Sequence, residues 1–250
     1  MRASLLVLAL TLFAAVSAAR AGEGVPIAFD PGQFHHPLMI SNGYWAMWPG
    51  RHIVYQEVED EACVVNDFVV TAKVKRDFAG RYRGVAARVV SDNAWADDGC
   101  DGGRDRLVER TSDWYAQDDL GNIWYLGEDT TEYFYDAAGH RVGSSKAGTW
   151  QAGNDGAIAG VVMLAHPVVG QRYQQEYLRG VAEDRAQVVA TDRRVATNLG
   201  HFAACIATRE WSPLAPGDVE FKYYCPNLGL VRVRIADGSG GAEAVDLGLH

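Results

Sequence analysis

The sequence predicts a mainly β protein: an antiparallel meander that forms an open half-barrel or two-layer sheet, with few short helices. No stretch carries the long 3.6-residue apolar stripe of an amphipathic helix. Period-two alternation recurs instead, as where Val69, Thr71, Lys73 and Lys75 alternate with Val70, Ala72 and Val74. Turn residues separate these runs, most clearly in an aromatic hairpin spanning residues 113–128.

Residues 1–21 read as a secretory signal. Arg2 supplies the positive start, residues 5–16 are apolar, and Ala19-Arg20-Ala21 places small residues at −3 and −1. Cleavage near Ala21 leaves residues 22–250 as a single β-rich domain of a secreted, periplasmic or extracellular, protein. Loss of Arg2 and Arg20 takes the formal charge from −9 to −11. An acidic chain without a Lys/Arg cluster is a poor partner for nucleic acid. No run is long enough to predict a membrane span.

Residues 22–40, with Pro26, Pro31 and Pro37, read as an irregular N-terminal arm. Residues 53–59, 67–75 and 82–90 read as strands, and the Asp- and Gly-rich residues 91–105 as a loop. In the aromatic hairpin, Asp119-Leu120-Gly121 is the turn, with Gly121 supplying a positive φ. Tyr115 then faces Tyr125, and Trp114 faces Leu126. Trp114, Trp124 and Leu126 share one face, and Tyr115, Ile123 and Tyr125 the other. A hairpin apolar on both sides must be covered on both sides, by a second layer or by a ligand.

An offset of 18 residues puts Tyr115 on Tyr133, Asp118 on Asp136 and Gly121 on Gly139, so a second hairpin with the same turn follows. Residues 147–159 read as a glycine-rich loop around Trp150. Residues 171–180 are ambiguous, with a strand carrying Tyr173, Gln175 and Tyr177 on one face as one option. Residues 185–195 read as a strand entering the turn Thr197-Asn198-Leu199-Gly200. Strands at 201–211, 219–225 and 229–235 close the fold, and residues 236–250 read as a frayed tail.

Four cysteines in an exported chain suggest two disulfides. A hairpin symmetric about Ala215 sets Cys205 opposite Cys225, at roughly 4.5–5.5 Å between Cα atoms, which leaves Cys63 for Cys100. No Cys-x-x-Cys pair begins a thiolate metal site.

Several phrases resemble the signature of a family of exported bacterial proteins without an assigned activity. These are Asp113-Trp114-Tyr115-Ala116-Gln117-Asp118 with Gly121-Asn122-Ile123-Trp124-Tyr125-Leu126-Gly127-Glu128, Gly148-Thr149-Trp150-Gln151-Ala152-Gly153, Tyr173-Gln174-Gln175-Glu176-Tyr177 with Glu183-Asp184, and the closing Glu220-Phe221-Lys222-Tyr223-Tyr224 with Gly229-Leu230-Val231. The meander and the closing strands also resemble, more distantly, LolA-like and LppX-like envelope proteins. That resemblance implies an open half-barrel holding acyl chains on a concave face.

Candidate sites follow from these residues. Trp114, Tyr115, Trp124, Tyr125 and Trp150 either line a concave surface for a hydrophobic or amphipathic small molecule or lipid, or fill an ordinary β core. Among the acids, Glu128 with Glu176 or Glu183 offers a carboxylate pair for hydrolysis of an envelope or extracellular polymer. Asp129 and Asp184 join the same set, although adjacent Glu183 and Asp184 point to opposite faces of a strand. Asp97, Asp101 and Asp105 form an acidic loop suited to Ca²⁺ by ligand type. The helix-loop-helix spacing fails there, because Gly99 and Val108 fall at positions 3 and 12. His35, His36, Met39 and Met47, and separately Met163 with His166, make sparse copper sets. No Gly-x-Ser-x-Gly and no phosphate-cradling glycine loop is present. The expected function is thus a non-catalytic, cofactor-free binding protein of the bacterial envelope, with hydrolase and structural-module alternatives.

Overall fold

The computed structural model describes residues 25–59 and 62–249; the signal segment and its cleavage site lie outside them. Fifteen strands run through the described residues: β1 (Arg51–Glu59), β2 (Ala62–Lys75), β3 (Ala87–Ala96), β4 (Arg106–Gln117), β5 (Ile123–Tyr135), β6 (Arg141–Ser145), β7 (Trp150–Gln151), β8 (Ile158–Met163), β9 (Arg172–Gln174), β10 (Glu176–Tyr177), β11 (Arg185–Thr197), β12 (Gly200–Trp211), β13 (Val219–Cys225), β14 (Gly229–Ile235) and β15 (Gly240–Leu249). Two single 3₁₀ turns, Pro31–Gln33 and Gly80–Tyr82, are the described helical elements.

The mainly antiparallel β class therefore holds. The sheet order is β10-β8-β5-β4-β3-β2-β1-β15-β14-β13-β12-β11-β9, with β6 and β7 also pairing with β5. The two ends of this order are joined by Gln175 alone, since β9 ends at Gln174 and β10 begins at Glu176. A chain that leaves one edge of the sheet enters the other one residue later, so the sheet curls into a nearly closed barrel. Closure removes most of the exposed edge that an open half-barrel would leave. At the seam the backbones nearly touch: a Cβ on Gly160 would lie 2.4 Å from the carbonyl oxygen of Gln174. Glycine is the one residue that fits there.

Both hairpins form as the turn chemistry dictates. Asp118 N–H donates to Asn122 O and Gly121 N–H to Asp118 O, each at 3.0 Å, and 18 residues on Asp136, His140 and Gly139 repeat both bonds at 3.0 Å. Tyr115 pairs with Tyr125 as expected. A bulge between Asp113 and Tyr115 shifts the register beyond that point, so Trp114 has no direct partner at Leu126 and Asp113 faces Glu128. The hairpins form a meander, because β5 is both the second strand of one and the first of the next.

Both faces of the aromatic hairpin are covered. Trp114 and Trp124 project opposite to Tyr115 and Tyr125. On that outer side Phe29 meets Trp124 edge-on at 5.1 Å, Phe34 lies at 6.1 Å, and Phe78 packs on Trp114 at 6.1 Å. The N-terminal arm is irregular but firmly held: Gln117 N–H donates to Pro37 O at 2.9 Å and Asp119 N–H to Gln33 O at 2.7 Å, and just past the arm Gln117 Oε1 accepts from the N–H groups of Ser41 and Asn42. Trp45, between the arm and β1, inserts among Phe68, Tyr115 and Tyr224, with centroids 6.1, 5.7 and 5.5 Å away.

Two segments depart from expectation. Residues 91–96 extend β3 rather than forming a loop, pairing with β2 and β4. Asp92 on this stretch borders a polar cavity inside the barrel, which suits a polar residue on an inward face. The stretch read as a frayed tail forms β15, which pairs with β1 from Glu59 to Arg51 and with β14. Ala242 and Ala244 on this strand are buried, and barrel closure gives them the neighbours that a free tail lacks.

Both disulfides form as paired from the sequence, Cys63–Cys100 with Cα atoms 5.3 Å apart and Cys205–Cys225 at 4.1 Å. The second sits in a small satellite core with Val195 and Val231. Among the described residues no helix is long and apolar enough to cross a membrane.

Candidate functional site

Alternation along β4 places Glu109, Thr111, Asp113 and Tyr115 on one face, every second residue. All four point into the barrel, where they border an internal cavity of about 110 Å³. Other strands add more acids to the lining: Asp92 from β3, Glu128 from β5, Glu176 from β10, Asp184 just before β11 and Glu210 from β12. One cation, Lys222 of β13, faces these seven carboxyl groups. Trp45, Tyr115, Tyr125 and Tyr224 supply an aromatic remainder.

The chamber has two unlike walls. On one, Lys222 Nζ lies 3.1 Å from Glu210 Oε2 and 3.4 Å from Glu220 Oε2. Burial pulls the lysine pKa down, but Glu210 and Glu220 together outweigh it, and Lys222 is held charged. Thr208 Oγ1 donates to Glu210 Oε1 at 2.6 Å, and Gln175 Nε2 to Oε2 at 3.1 Å. This wall is a satisfied network, which is what a buried charge needs.

The opposite wall has acids and no cation. Asp113 faces Glu128 across β4 and β5, and the Tyr125 hydroxyl donates to Asp113 Oδ1 at 2.6 Å. Burial pushes both carboxyls well above the usual range; Asp92 adds to this at Asp113, and Glu176 and then Asp113 add to it at Glu128. Burial does the same at Glu176, reinforced by Asp184 and Asp113. Glu176 is only 2% exposed, and its Oε2 has no hydrogen-bond partner. Higher on the wall, burial raises Asp92 to about 6 and Glu109 to about 7, against hydrogen bonds from Asn66 and Thr111 respectively. Carboxyls pushed toward the protonated form offer a polar guest both donors and acceptors, and charge when a proton leaves.

The structure thus brings Glu128 and Glu176 together and leaves Glu183 out. Glu183 Oε1 instead accepts from Gly180 N–H at 2.9 Å, and Asp184 takes the inward position. Tyr115 and Tyr125 line the chamber as a stacked pair, 4.9 Å apart. Trp150 lies behind them, edge-on to Tyr125 at 5.3 Å and with its indole N–H unpaired. Trp114 and Trp124 belong to the outer packed face, where Trp124 Nε1 donates to Asp118 Oδ2 at 2.8 Å.

In the acidic loop the carboxylates serve the backbone: Asp97 accepts from the N–H groups of Asp101 and Gly102, Asp101 from Gly103, and Asp105 from Asp98. Among the described residues no group of three or more His, Cys, Asp or Glu is placed to hold a metal ion. Met47 and Met163 are core residues, and His35 pairs with Asp119 at 2.5 Å.

Sequence reasoning missed Asp92, Glu109, Asp113, Glu210 and Lys222 as site residues. The signal lies in the polar alternation of Glu109, Thr111 and Asp113, and of Glu220, Lys222 and Tyr224, which period two alone does not assign to an inner face.

Fold and site define a disulfide-stapled antiparallel barrel with an acid-lined internal chamber. No protein-family model matches the chain, and no curated protein matches it. Among solved structures, a Parabacteroides distasonis protein described as a candidate lipoprotein aligns with 83% of this chain and 99% of its own, at 12% identity and a TM-score of 0.41.

Proposed function

We propose that this is an exported, non-catalytic binding protein of the bacterial envelope that holds a small amphipathic molecule inside its barrel. The observation that carries the reading is the chamber itself, lined by tyrosines and buried carboxyls, one of which, Glu176, has an oxygen without a well-formed hydrogen bond. Export is supported by the leader-like residues 1–21 and by two disulfides, which persist in oxidising compartments. At about 110 Å³ the chamber is well below the roughly 300–1,000 Å³ of pockets that take drug-sized ligands. A short molecule fits that volume better than an acyl chain does.

The hydrolase alternative draws on Glu128 and Glu176 bordering one cavity. Two facts weigh against it. A polymer needs an open cleft, and a working carboxylate pair needs one member ionised, whereas burial pushes both of these toward the protonated form.

Native mass spectrometry of the mature protein, gently purified from a host that exports it, tests the reading. The expected result is a bound small molecule that disappears in a Tyr125→Phe/Glu176→Gln variant. An unliganded wild-type mass that no added small molecule changes would overturn it.

A further inference from the structure

The chamber's charges are unbalanced in a way that names its guest. Lys222 makes its ion pairs with Glu210 and Glu220, and reaches Glu176, Asp184 and Asp92 only through longer-range attraction that burial outweighs. Across the cavity, Asp113 and Glu128 face each other on neighbouring strands, an arrangement that is unfavourable between like charges. Glu176, buried to 2% exposure, completes that wall with an oxygen that makes no well-aligned hydrogen bond and has the Trp150 indole N–H as its neighbouring donor. Leaving a buried acceptor unmet is costly, so such groups have a partner in most proteins. What this wall lacks is a cation.

The neighbouring surface says which kind. Tyr115 and Tyr125, stacked at 4.9 Å, both border the cavity and give it an apolar surface beside the carboxyls, which suits a cation that carries a short hydrocarbon part. The carboxyls do not converge as a metal-ligating set among the described residues. An anion would meet seven carboxyl groups.

We propose that the chamber takes a small organic ammonium ion, seated between the carboxyls of Glu128 and Glu176 with its short apolar part against Tyr115 and Tyr125. This rests on the binding reading above and names its ligand class. Binding releases a proton: the ammonium ion enters, a carboxyl of the Asp113–Glu128–Glu176 wall gives its proton to buffer, and an ion pair remains. Asp92, Glu109 and Asp184 also face the cavity and share in the titration, while Lys222 stays with Glu210 and Glu220.

Isothermal titration calorimetry on the mature protein at pH 7, with n-butylammonium against its neutral isostere 1-butanol, is the test. Two buffers of different ionisation enthalpy report proton release. The ammonium ion should bind with a buffer-dependent heat equivalent to release of up to one proton, and the alcohol at least tenfold more weakly. Glu176→Gln should weaken ammonium binding by about tenfold, the scale of one charged hydrogen bond. Glu128→Gln serves as the second variant should the first not fold. Binding of the alcohol as tightly as the amine would overturn the ammonium proposal and leave the binding reading standing. Binding of neither probe, with a ligand still present in native mass spectra, would overturn it as well; absence of any ligand in those spectra would remove both.

Discussion

Asp113 and Glu128 stand opposite one another inside the barrel, both buried, with the Tyr125 hydroxyl bonded to Asp113. Like charges at that position would repel, and burial favours the neutral form of each. Together with Glu176, Asp92 and Glu109 they give the folded chain a higher proton affinity than the unfolded one.

That excess has a definite sign. Carboxyls with raised folded-state pKa values add stability that is complete below their unfolded values near pH 4. The contribution fades as pH climbs through the folded values, about 6 for Asp92 and about 7 for Glu109. Scanning calorimetry should therefore show Tm falling from pH 5 to pH 8 in the unliganded protein. Asp92→Asn, which keeps the acceptor for Asn66, should flatten part of that slope. A Tm that rises across this interval would contradict the assignment.

Trp124 belongs to the packed outer face and not to the chamber, with Phe29 and Phe34 against its ring and Asp118 on its N–H. Trp124→Ala should cost about 3–5 kcal/mol in chemical denaturation, as for other large core truncations. Leu120→Ala at the exposed turn tip should stay within about 0.5 kcal/mol. Equal effects would mean that Trp124 is not part of a packed layer.

The seam depends on Gly160. Gly160→Ala drives a Cβ to within 2.4 Å of Gln174 O, against backbone that cannot swing aside. Hydrogen exchange should show faster exchange of the amides in β8, β9 and β10, with Tm lowered. Gly43→Ala, where a Cβ meets nothing within 4 Å, is the matched control and should leave both unchanged.

Reduction tests the staples separately. Replacing Cys63 and Cys100 by serine, or Cys205 and Cys225, should each lower stability by about 2–5 kcal/mol. Urea midpoints of the two double variants, against the oxidised parent, give the values. A parent insensitive to reductant would place the stability elsewhere.

The parts of this fold that were legible in the sequence are those set by local chemistry. The repeated turns at Asp118–Asn122 and Asp136–His140 follow from Asp and Gly at fixed offsets. The Cys205–Cys225 pairing follows from a register that the 212–218 turn dictates, and β12 and β13 keep that register from Trp211–Val219 to Ile206–Tyr224. The chamber was harder to see because alternation separates two faces of a strand without saying which is inward. In an ordinary sheet the apolar face is the buried one, and Asp92 falls in a polar stretch that reads as loop. Closure at Gln175 reverses that logic over half of the barrel. It depends on contacts between β8 and the 172–177 segment that no local pattern encodes.

The central claim is that the chamber is a ligand site, and the most direct measurement is a crystal structure of the mature protein purified from a host that exports it. The account predicts density for a small organic molecule in the cavity, within hydrogen-bond distance of Glu176 and against the Tyr115–Tyr125 pair. A cavity filled only by water bridging Asp113, Glu128 and Glu176 would contradict it and make the acids a self-satisfied polar interior.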